Sequence, residues 1–247
     1  MSMNQKGFEI FANTFSVAGI CEKTGAVGAI VTTSAPAVGA RVPKCKKGKG
    51  VVLSQNMTDP RLASAGMAML DLGYDAESAV NAMKAVTPYP EYRQLAAVDM
   101  SGKSSAYTGE KAFGPYQGQF CGEYVASIGN YLCTPEIPEA MGKHFLEKAD
   151  LPLAERLISS IEVGFELGGE IGPEHSIALV VYTDYEFPLI DLRADYCDDP
   201  LAELKRLWGV WKEEAKIYET NAVEPPKRYK EREEYYESLH AMRKEKE

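Results

Sequence analysis

Two consecutive apolar segments built from small residues constrain the fold more than any other feature of this chain. They read TFSVAGI from Thr14 and AVGAIVTT from Ala26, and a turn signal at residues 23–25 separates them. Neither segment alternates between apolar and polar residues, which is typical of β-strands covered on both faces. Because side chains alternate along a strand, Thr14 and Ser16 lie on one face and Phe15 on the other. We therefore expect the two strands to pair inside a layered protein.

The order of the remaining elements separates this chain from parallel α/β folds. Strands come first, followed by a helix pair, strands, a second helix pair, strands and a last helix. The further strand segments are VVLSQ, RQLAAVD, SSAYTG, GEYVASIG, SIALVVYT and PLIDLRAD. Regular β-α-β alternation is missing, which argues against a doubly wound parallel sheet. The pattern predicts an α+β fold with two packed sheets and paired helices on each outer side.

Capping residues and prolines in the sequence predict where the helices begin. The first pair covers roughly residues 60–72 and a segment that begins behind Asp75 as its N-cap. In the second pair, Thr134 is predicted to cap a helix with Pro135 at its first position. A stretch rich in Pro, Lys and Gly, residues 43–50, is predicted as a loop. The two later helices are predicted to start at Pro152 and at Pro200.

Bulk composition limits the partners of the chain. Its 247 residues carry a formal net charge of −9, with a sequence pI of about 5.1. This acidic balance disfavours binding to nucleic acids or anionic membranes, and we expect neither partner. The five cysteines are scattered and never form a CxxC pair, and no apolar run is long enough to cross a bilayer. A reduced, cytoplasmic compartment is the simplest interpretation.

Charge and proline content divide the chain into three parts. Residues 1–13 form an N-terminal extension, residues 14–211 the main domain and residues 212–247 a charged tail. The tail holds nine basic and ten acidic residues, and a charged helical segment follows Pro225 and Pro226. This pattern fits either a solvated helix or an arm that packs on a partner subunit. We expect a homodimer or a higher homo-oligomer.

No spacing of residues indicates a metal or a cofactor, and we expect neither. The three histidines lie in different segments, without HExxH or paired Cys/His spacing. An acidic run from Asp191 to Asp199 could bind a hard cation through oxygens. The alternative is structural: Asp198 or Asp199 caps the last helix, and Asp191 pairs with Arg193 or with a backbone amide.

Thr14 is a candidate for nucleophilic catalysis, because a free N-terminal threonine can be a nucleophile. An α-amine has a pKa of about 7.7–8.0, so part of it is unprotonated at neutral pH and can take the proton of its own residue's hydroxyl. Such a site also needs donors for the developing oxyanion. The backbone amides near Gly129 and the side chain of Asn130 are candidates. Spacing alone favours an ordinary strand residue at Thr14.

Short motifs in a fixed order run through most of the chain, from Thr14 to Leu207. They are TFSVAG, AVGxxVP, SQxxTxP, YTG after VDxxG, GNxL and DLRxD. In order and spacing they resemble the uncharacterised bacterial family of domain of unknown function 1028, which is described as similar to N-terminal nucleophile (Ntn) hydrolases. The resemblance implies a four-layer αββα sandwich of the Ntn-hydrolase type. It also implies that family members commonly start Met-Thr-Phe-Ser, so that methionine removal leaves the residue matching Thr14 first.

The chain departs from that family in two places. Thirteen residues precede Thr14, so its nitrogen is an amide and cannot act as a base while the bond to Asn13 persists. Activity would require self-cleavage, by attack of the Thr14 hydroxyl on the Asn13 carbonyl, or another protease. Family members also often carry Asp, Arg and Gln-Ser around the glycine-rich helix end, where this chain has Glu170 and then PEHS at residues 173–176.

These observations give one enzymatic hypothesis and one non-enzymatic alternative. The first is an Ntn-type hydrolase of an amide C–N bond in a small, peptide-like substrate, with Thr14 as nucleophile and Asn130 assisting the oxyanion. The residues assigned to substrate binding are Ser16, Ser34, His175, Asp191 and Arg193. The alternative is a catalytically inactive member of the same fold that binds a ligand or serves assembly. A cysteine nucleophile at Cys21 or Cys133 is a further alternative, although no histidine is visibly placed to activate either.

Overall fold

The computed structural model describes the backbone of residues 13–244 and the side chains of residues 13–238. The strands are β1 (Thr14–Ile20), β2 (Val27–Thr33), β3 (Pro43–Lys46), β4 (Gly50–Asn56), β5 (Arg93–Asp99), β6 (Ser104–Thr108), β7 (Gln117–Gly122), β8 (Val125–Asn130), β9 (Ser176–Tyr182) and β10 (Ile190–Ala194). The helices are α1 (Pro60–Asp71), α2 (Ala76–Ala85), α3 (Ile137–Glu147), α4 (Leu153–Glu166), α5 (Pro200–Val223) and α6 (Pro225–Lys244). Two short 3₁₀ helices cover Val38–Ala40 and Pro90–Tyr92.

The strands form two antiparallel sheets. The six-stranded sheet has the order β10-β9-β2-β1-β8-β7, and the four-stranded sheet has the order β3-β4-β5-β6. As expected, β1 pairs with β2, and its other neighbour is β8. The register of these pairs places Thr14 opposite Thr33 on one side and opposite Asn130 on the other. Thr14, the first residue of β1, therefore lies at one end of a central strand of the larger sheet, between Thr33 and Asn130.

The two sheets face each other, and a helix pair covers each outer side. Alternate residues of both sheets, such as Ala18, Leu53 and Ile128, form one buried apolar cluster between them. The opposite side of β1 faces α3 and α4: Phe15 packs edge-on against Phe165, with ring centroids 5.2 Å apart. On the smaller sheet, β4 and β5 share a second apolar cluster with α1 and α2. The predicted four-layer αββα sandwich is confirmed.

Side-chain caps explain two of the predicted helix starts. Asp59 precedes α1, and its carboxylate accepts from the backbone N–H of Arg61. Asp75 precedes α2 and accepts from the N–H of Ser78. In each case the side chain satisfies a backbone donor that has no partner within the first turn of the helix.

The prediction that Thr134 caps α3 is wrong. The helix begins at Ile137, and the proline in its first turn is Pro138 rather than Pro135. The chain before it is held by other partners: the N–H of Cys133 donates to the carbonyl of Gly169. Two prolines were available to open this helix, and the second one does.

Two strands were not anticipated. Residues 43–50 are not a loop throughout, because they contain β3. The segment GEYVASIG is not one strand: a turn at Glu123 and Tyr124, the latter with φ of 62°, separates β7 from β8. Both missed strands lie at sheet edges. Edge strands carry lysine and other polar residues instead of the apolar runs of central strands, so their sequence signal is weak.

The chain divides into two compact units, on either side of the bond between Lys205 and Arg206. The first contains the sandwich. The second contains most of α5 and all of α6; in α5, the rings of Trp211 and Tyr218 lie 5.4 Å apart. The described part of α6 exposes nearly all of its side chains. Among the described residues, no helix combines the length and apolar character that a membrane span requires.

Candidate active site

The layer between the two sheets is apolar along most of its length but polar at one end. There, each contributing strand presents a polar residue on the face that elsewhere carries alanine, valine, leucine or isoleucine. These residues are Thr14 and Ser16 on β1, Thr33 on β2, Gln55 on β4, Gln94 on β5 and Asn130 on β8. All six are almost completely buried. We call them the inter-sheet polar cluster.

Strand register explains why the cluster forms. Thr33 and Asn130 flank Thr14 within the larger sheet, and Gln55 pairs with Gln94 within the smaller one. Since the two sheets face each other, both rows meet at the same end of the sandwich. Burial of polar groups is costly unless they are hydrogen-bonded. The stability of this end of the sandwich therefore depends on hydrogen bonds inside the cluster.

Side-chain amides connect the two sheets. The Gln55 Nε2 donates to the carbonyl of Thr14 at 3.2 Å and to Gln94 Oε1 at 2.8 Å. The Asn130 Nδ2 donates to the same two oxygens, at 3.3 Å and 3.1 Å respectively. The Gln55 Oε1 accepts from the hydroxyl of Ser16 at 2.6 Å. The carbonyl of Thr14 is thus held by one amide from each sheet, which fixes the backbone of this residue.

A chain of two hydroxyls begins and ends at the peptide bond between Asn13 and Thr14. The Thr14 Oγ1 donates to Thr33 Oγ1 at 3.2 Å. The Thr33 hydroxyl in turn donates to the carbonyl oxygen of Asn13. The hydroxyl of Thr14 is therefore linked, through one neighbour, to the carbonyl group on the other side of its own nitrogen.

A buried carboxyl group lies beside the same bond. Glu170 is 4 % exposed, its Oε2 accepts from the backbone N–H of Ser34 at 3.2 Å, and the side chain of Asn13 lies beside its carboxyl. Burial, together with the nearby charge of Glu174, holds the pKa of Glu170 well above its ordinary range. No cation compensates this carboxyl among these contacts, so burial favours its uncharged form.

Three buried oxygens around this site lack a hydrogen-bond partner in the described part of the chain. They are the Oδ1 atoms of Asn13 and Asn130 and the Oε1 atom of Glu170. Native proteins leave few buried polar atoms unsatisfied, and such atoms often mark a functional region. All three are acceptors, so a donor or a cation would satisfy them.

The structure brings some of the predicted site residues together. Thr14, Ser16 and Asn130 belong to the inter-sheet polar cluster, and Ser34 contacts Glu170 through its backbone. His175 approaches through its backbone, whose N–H donates to the carbonyl of Thr33 at 2.9 Å.

The side chains of the remaining predicted site residues contact groups other than Thr14. The ring of His175 stacks on Tyr196, with centroids 4.8 Å apart. Asp191 and Arg193 lie on β10, three positions from β1 in the sheet, or about 14 Å at the usual strand spacing. Arg193 pairs with Asp195 at 3.6 Å, not with Asp191.

At one position of the acidic run, the structure supports the structural interpretation, in which an aspartate caps the last helix of the main domain. Asp199 caps α5, because its Oδ1 accepts from the N–H of Ala202 at 2.9 Å. In the described part of the chain, no group of three or more His, Cys, Asp or Glu side chains is arranged to hold a metal ion.

Four residues of this region escaped the sequence analysis: Thr33, Gln55, Gln94 and Glu170. The first three share one signal, since each is the polar residue at the end of an apolar strand. That signal identifies a site only when the register of both sheets is known. Glu170 departs from the family pattern, and an isolated antiparallel bridge pairs it with Leu132.

Thr14 itself is sealed. It is 1 % exposed, and its nitrogen belongs to a peptide bond. Cavities lined by described residues occur elsewhere in the first unit, beside Tyr74, Tyr89 and Arg156, and none of the three includes Thr14 in its lining.

The layered sandwich agrees with comparisons to known proteins. The profile of the Family of unknown function (DUF1028) matches residues 14–204, and the chain belongs to this family. The crystal structure of protein SPO2555 from Silicibacter pomeroyi, assigned to the same family, is similar with a TM-score of 0.73 and 28 % sequence identity. The similarity covers 80 % of this chain and 88 % of that chain. Among curated proteins, none matches.

Proposed function

We propose that this chain is the precursor of an Ntn-type hydrolase that cleaves an amide C–N bond in a small, peptide-like substrate. Thr14 becomes the nucleophile once its bond to Asn13 is cut. The observation that carries the proposal is the hydroxyl chain from Thr14 through Thr33 to the carbonyl of Asn13. The family match supports it, because that match begins at residue 14.

The same contacts suit cleavage of the Asn13–Thr14 bond by the chain itself. The Thr14 hydroxyl oxygen attacks the Asn13 carbonyl carbon, while the Thr33 hydroxyl donates to the oxygen on which negative charge develops. The C–N bond then breaks, and the leaving nitrogen takes the proton of the Thr14 hydroxyl. Water hydrolyses the resulting ester, which releases the Asn13 carboxylate and restores the Thr14 hydroxyl beside a free α-amine.

In the cut chain, the α-amine of Thr14 serves as the general base for its own hydroxyl. Gln55 and Asn130 hold the Thr14 carbonyl, so the nucleophile keeps a fixed orientation. Asn130 is the proposed oxyanion donor, since its 3.3 Å bond to that carbonyl is long enough to be exchanged for a substrate oxygen. Glu170 is the proposed partner of the ammonium form of the amine.

Only residues that lie close to Thr14 are proposed to contact the substrate. Ser16 and Ser34 remain assigned to substrate binding, and His175 borders the site through its backbone. Asp191 and Arg193 take no part in this proposal, because the sheet order separates them from Thr14.

A chain that begins Met-Thr14 tests the proposal, because methionine before threonine is removed during expression. We expect this chain to react with a β-lactone probe that acylates N-terminal threonine, and to hydrolyse members of a panel of aminoacyl p-nitroanilides. Thr14→Ser should retain both reactions and Thr14→Ala should lose them by at least a hundredfold. Equal probe labelling of the Thr14→Ala chain would show that another group reacts.

One observation favours a second function. In the uncut chain Thr14 is buried and its nitrogen is acylated, which suits a non-catalytic protein that binds a ligand or serves assembly. The mass of the intact protein separates the two. After incubation for several days at pH 7.5, a single species that keeps residues 1–13 supports the non-catalytic function and argues against self-cleavage.

A further inference from the structure

The bond between the N-terminal extension and the sandwich is itself an amide at the proposed nucleophile, so it indicates which acyl groups the site accommodates. Its acyl part is Asn13, and its nitrogen belongs to Thr14. Asn13 is 7 % exposed, and its carbonyl oxygen accepts from the Thr33 hydroxyl. The uncut chain therefore holds one particular acyl group, an asparaginyl group, in a buried position next to Thr14.

Cleavage of this bond and cleavage of a substrate form the same covalent species when their acyl groups are the same. In each reaction the Thr14 hydroxyl oxygen attacks the carbonyl carbon, the C–N bond breaks, and the leaving nitrogen takes up the hydroxyl proton. The product is an ester on Thr14, which water hydrolyses to a carboxylate and the free hydroxyl. An asparaginyl ester on Thr14 is thus the intermediate of self-cleavage and also the acyl-enzyme of an asparaginyl amide.

The side chain of Asn13 lies among groups that suit a short carboxamide. The carboxyl of Glu170 lies beside it, and the Glu170 Oε2 accepts from the backbone N–H of Ser34 at 3.2 Å. The Asn13 Nδ2 lies 3.8 Å from the position that a Cβ atom would occupy on Gly172. The glycine therefore leaves room for the amide end of a side chain of this length.

Two buried oxygens without a hydrogen-bond partner in the described part of the chain belong to this pair of side chains. They are the Oδ1 of Asn13 and the Oε1 of Glu170. A protonated carboxyl offers a donor and an acceptor, and so does a carboxamide, so one proton on Glu170 lets the two groups satisfy each other. An apolar side chain in the place of Asn13 would leave the Glu170 oxygen buried without a partner, which is costly.

Charge distinguishes a carboxamide from a carboxylate of the same size at this position. Glu174 lies next to Glu170, and its Oε1 accepts from the Glu170 backbone N–H at 2.9 Å. Among the described contacts of Glu170, none is to a basic side chain. An aspartyl group would place a further negative charge beside these two carboxyl groups, and like charges at short range disfavour the ionised form.

On the basis of the proposed hydrolase function, we propose that the acyl part of the substrate carries a short, neutral carboxamide side chain, as in an asparaginyl amide, and that Glu170 selects it. The carboxamide takes the position that Asn13 has in the uncut chain. Its nitrogen donates to the Glu170 carboxyl, and its oxygen accepts from the same group. The Ser34 N–H holds the carboxyl in place, and the Thr33 hydroxyl donates to the substrate carbonyl as it does to that of Asn13.

The test uses the chain that begins Met-Thr14, which keeps every described strand and helix of the sandwich. kcat/KM is measured at pH 7.5 for the N-acetyl p-nitroanilides of asparagine, leucine, aspartate and glutamine, which share one leaving group. We expect the asparaginyl substrate to exceed the leucyl and aspartyl substrates, which match it in size, by about tenfold or more. The longer glutaminyl substrate should be slower than the asparaginyl one by about threefold or more.

The outcomes separate this proposal from the hydrolase function on which it rests. Equal values across the series, or a leucyl substrate that is faster than the asparaginyl one, would overturn the selection and leave the hydrolase function standing. Labelling of Thr14 by the β-lactone probe without hydrolysis of the asparaginyl substrate would have the same meaning. If the probe does not label Thr14 and none of the substrates is hydrolysed, the hydrolase function itself fails.

Variants of Glu170 distinguish selection from a general structural effect. Because Glu170 is also the proposed partner of the α-amine, the readout is the ratio of kcat/KM between the asparaginyl and leucyl substrates within each variant. Glu170→Gln keeps a donor and an acceptor and should retain the asparaginyl preference, whereas Glu170→Leu should bring the two substrates within about threefold of each other. An unchanged ratio in a folded Glu170→Leu chain would contradict the role assigned to Glu170. If that variant does not fold, the substrate series decides alone.

Discussion

At the scale of single residues, the side chain that does most to connect the sheets is Gln94. Its Oε1 accepts from Gln55 and Asn130, and its Nε2 donates to the carbonyl of Gly129 at 2.8 Å. In the sequence it is one glutamine at the start of an apolar strand, with nothing to distinguish it. Its importance depends on which residues face it from the other sheet, and no local pattern contains that information.

Replacing Gln94 with leucine should be strongly destabilising although the size of the side chain is kept. Two buried donors would lose their acceptor, and each costs about 1–3 kcal/mol when unsatisfied, so we expect a loss of about 2–4 kcal/mol. Urea unfolding measures it. The control is Gln119→Leu, at an exposed position of β7, which should change stability by no more than about 0.5 kcal/mol. Similar losses in both variants would contradict a special role for Gln94.

Glu170 gives a prediction about pH. Because its pKa is raised on folding, the protonated carboxyl stabilises the folded chain fully below the ordinary glutamate pKa, and this contribution is lost as pH rises toward the folded value. Glutamine mimics the protonated form. We therefore expect the urea midpoint of Glu170→Gln to exceed that of the wild type increasingly between pH 5 and pH 8. A difference between the two midpoints that stays constant over this range would contradict the raised pKa.

At the scale of elements, the central strands, most helix starts and the edge strands β6 and β10 were predictable, whereas the edge strands β3 and β7 were not. Segments such as β1 and β5 are apolar on both faces, because a helix pair covers one side and the opposing sheet covers the other. The edge strand β3, with Lys44 and Lys46, has the composition of a loop. In the site, Thr14 was predicted from the chemistry of a free N-terminal threonine and Asn130 as a candidate oxyanion donor, while Gln55 and Gln94 required knowledge of how the sheets face each other.

Close packing of α4 on β1 can be tested at Gly164. A Cβ atom there would lie 2.7 Å from the Phe15 ring and 2.9 Å from the sulfur of Met141. Alanine is favoured over glycine in helices by about 1 kcal/mol, but overpacking costs about 1–3 kcal/mol, so Gly164→Ala should lower the Tm. Gly209→Ala in α5 is the matched control, since its Cβ would meet nothing within 4 Å. A Tm raised by Gly164→Ala would show that the interface adapts freely.

At the scale of the whole molecule, the two compact units differ in what holds them. The sandwich buries continuous apolar layers on three interfaces, between the sheets and beneath each helix pair. The second unit, from Arg206 onward, consists of helical chain in which the described side chains of α6 are almost all exposed. A long charged helix with little buried surface contributes little to the stability of a monomer. That this helical segment contacts a second copy stays a prediction.

Deleting the residues after Val210 tests that prediction. Because the apolar clusters of the sandwich lie entirely before this point, the shortened chain should keep its cooperative thermal unfolding, with a Tm within a few degrees of the full chain. Its mass by light scattering should fall from that of a dimer or larger assembly to that of a monomer. Reversing the charges of Lys227, Arg228 and Lys230 to glutamate in the full chain supplies a control that keeps its length. If the full and shortened chains scatter as the same oligomer, the tail is not the assembly element, and any contact between copies belongs to the sandwich.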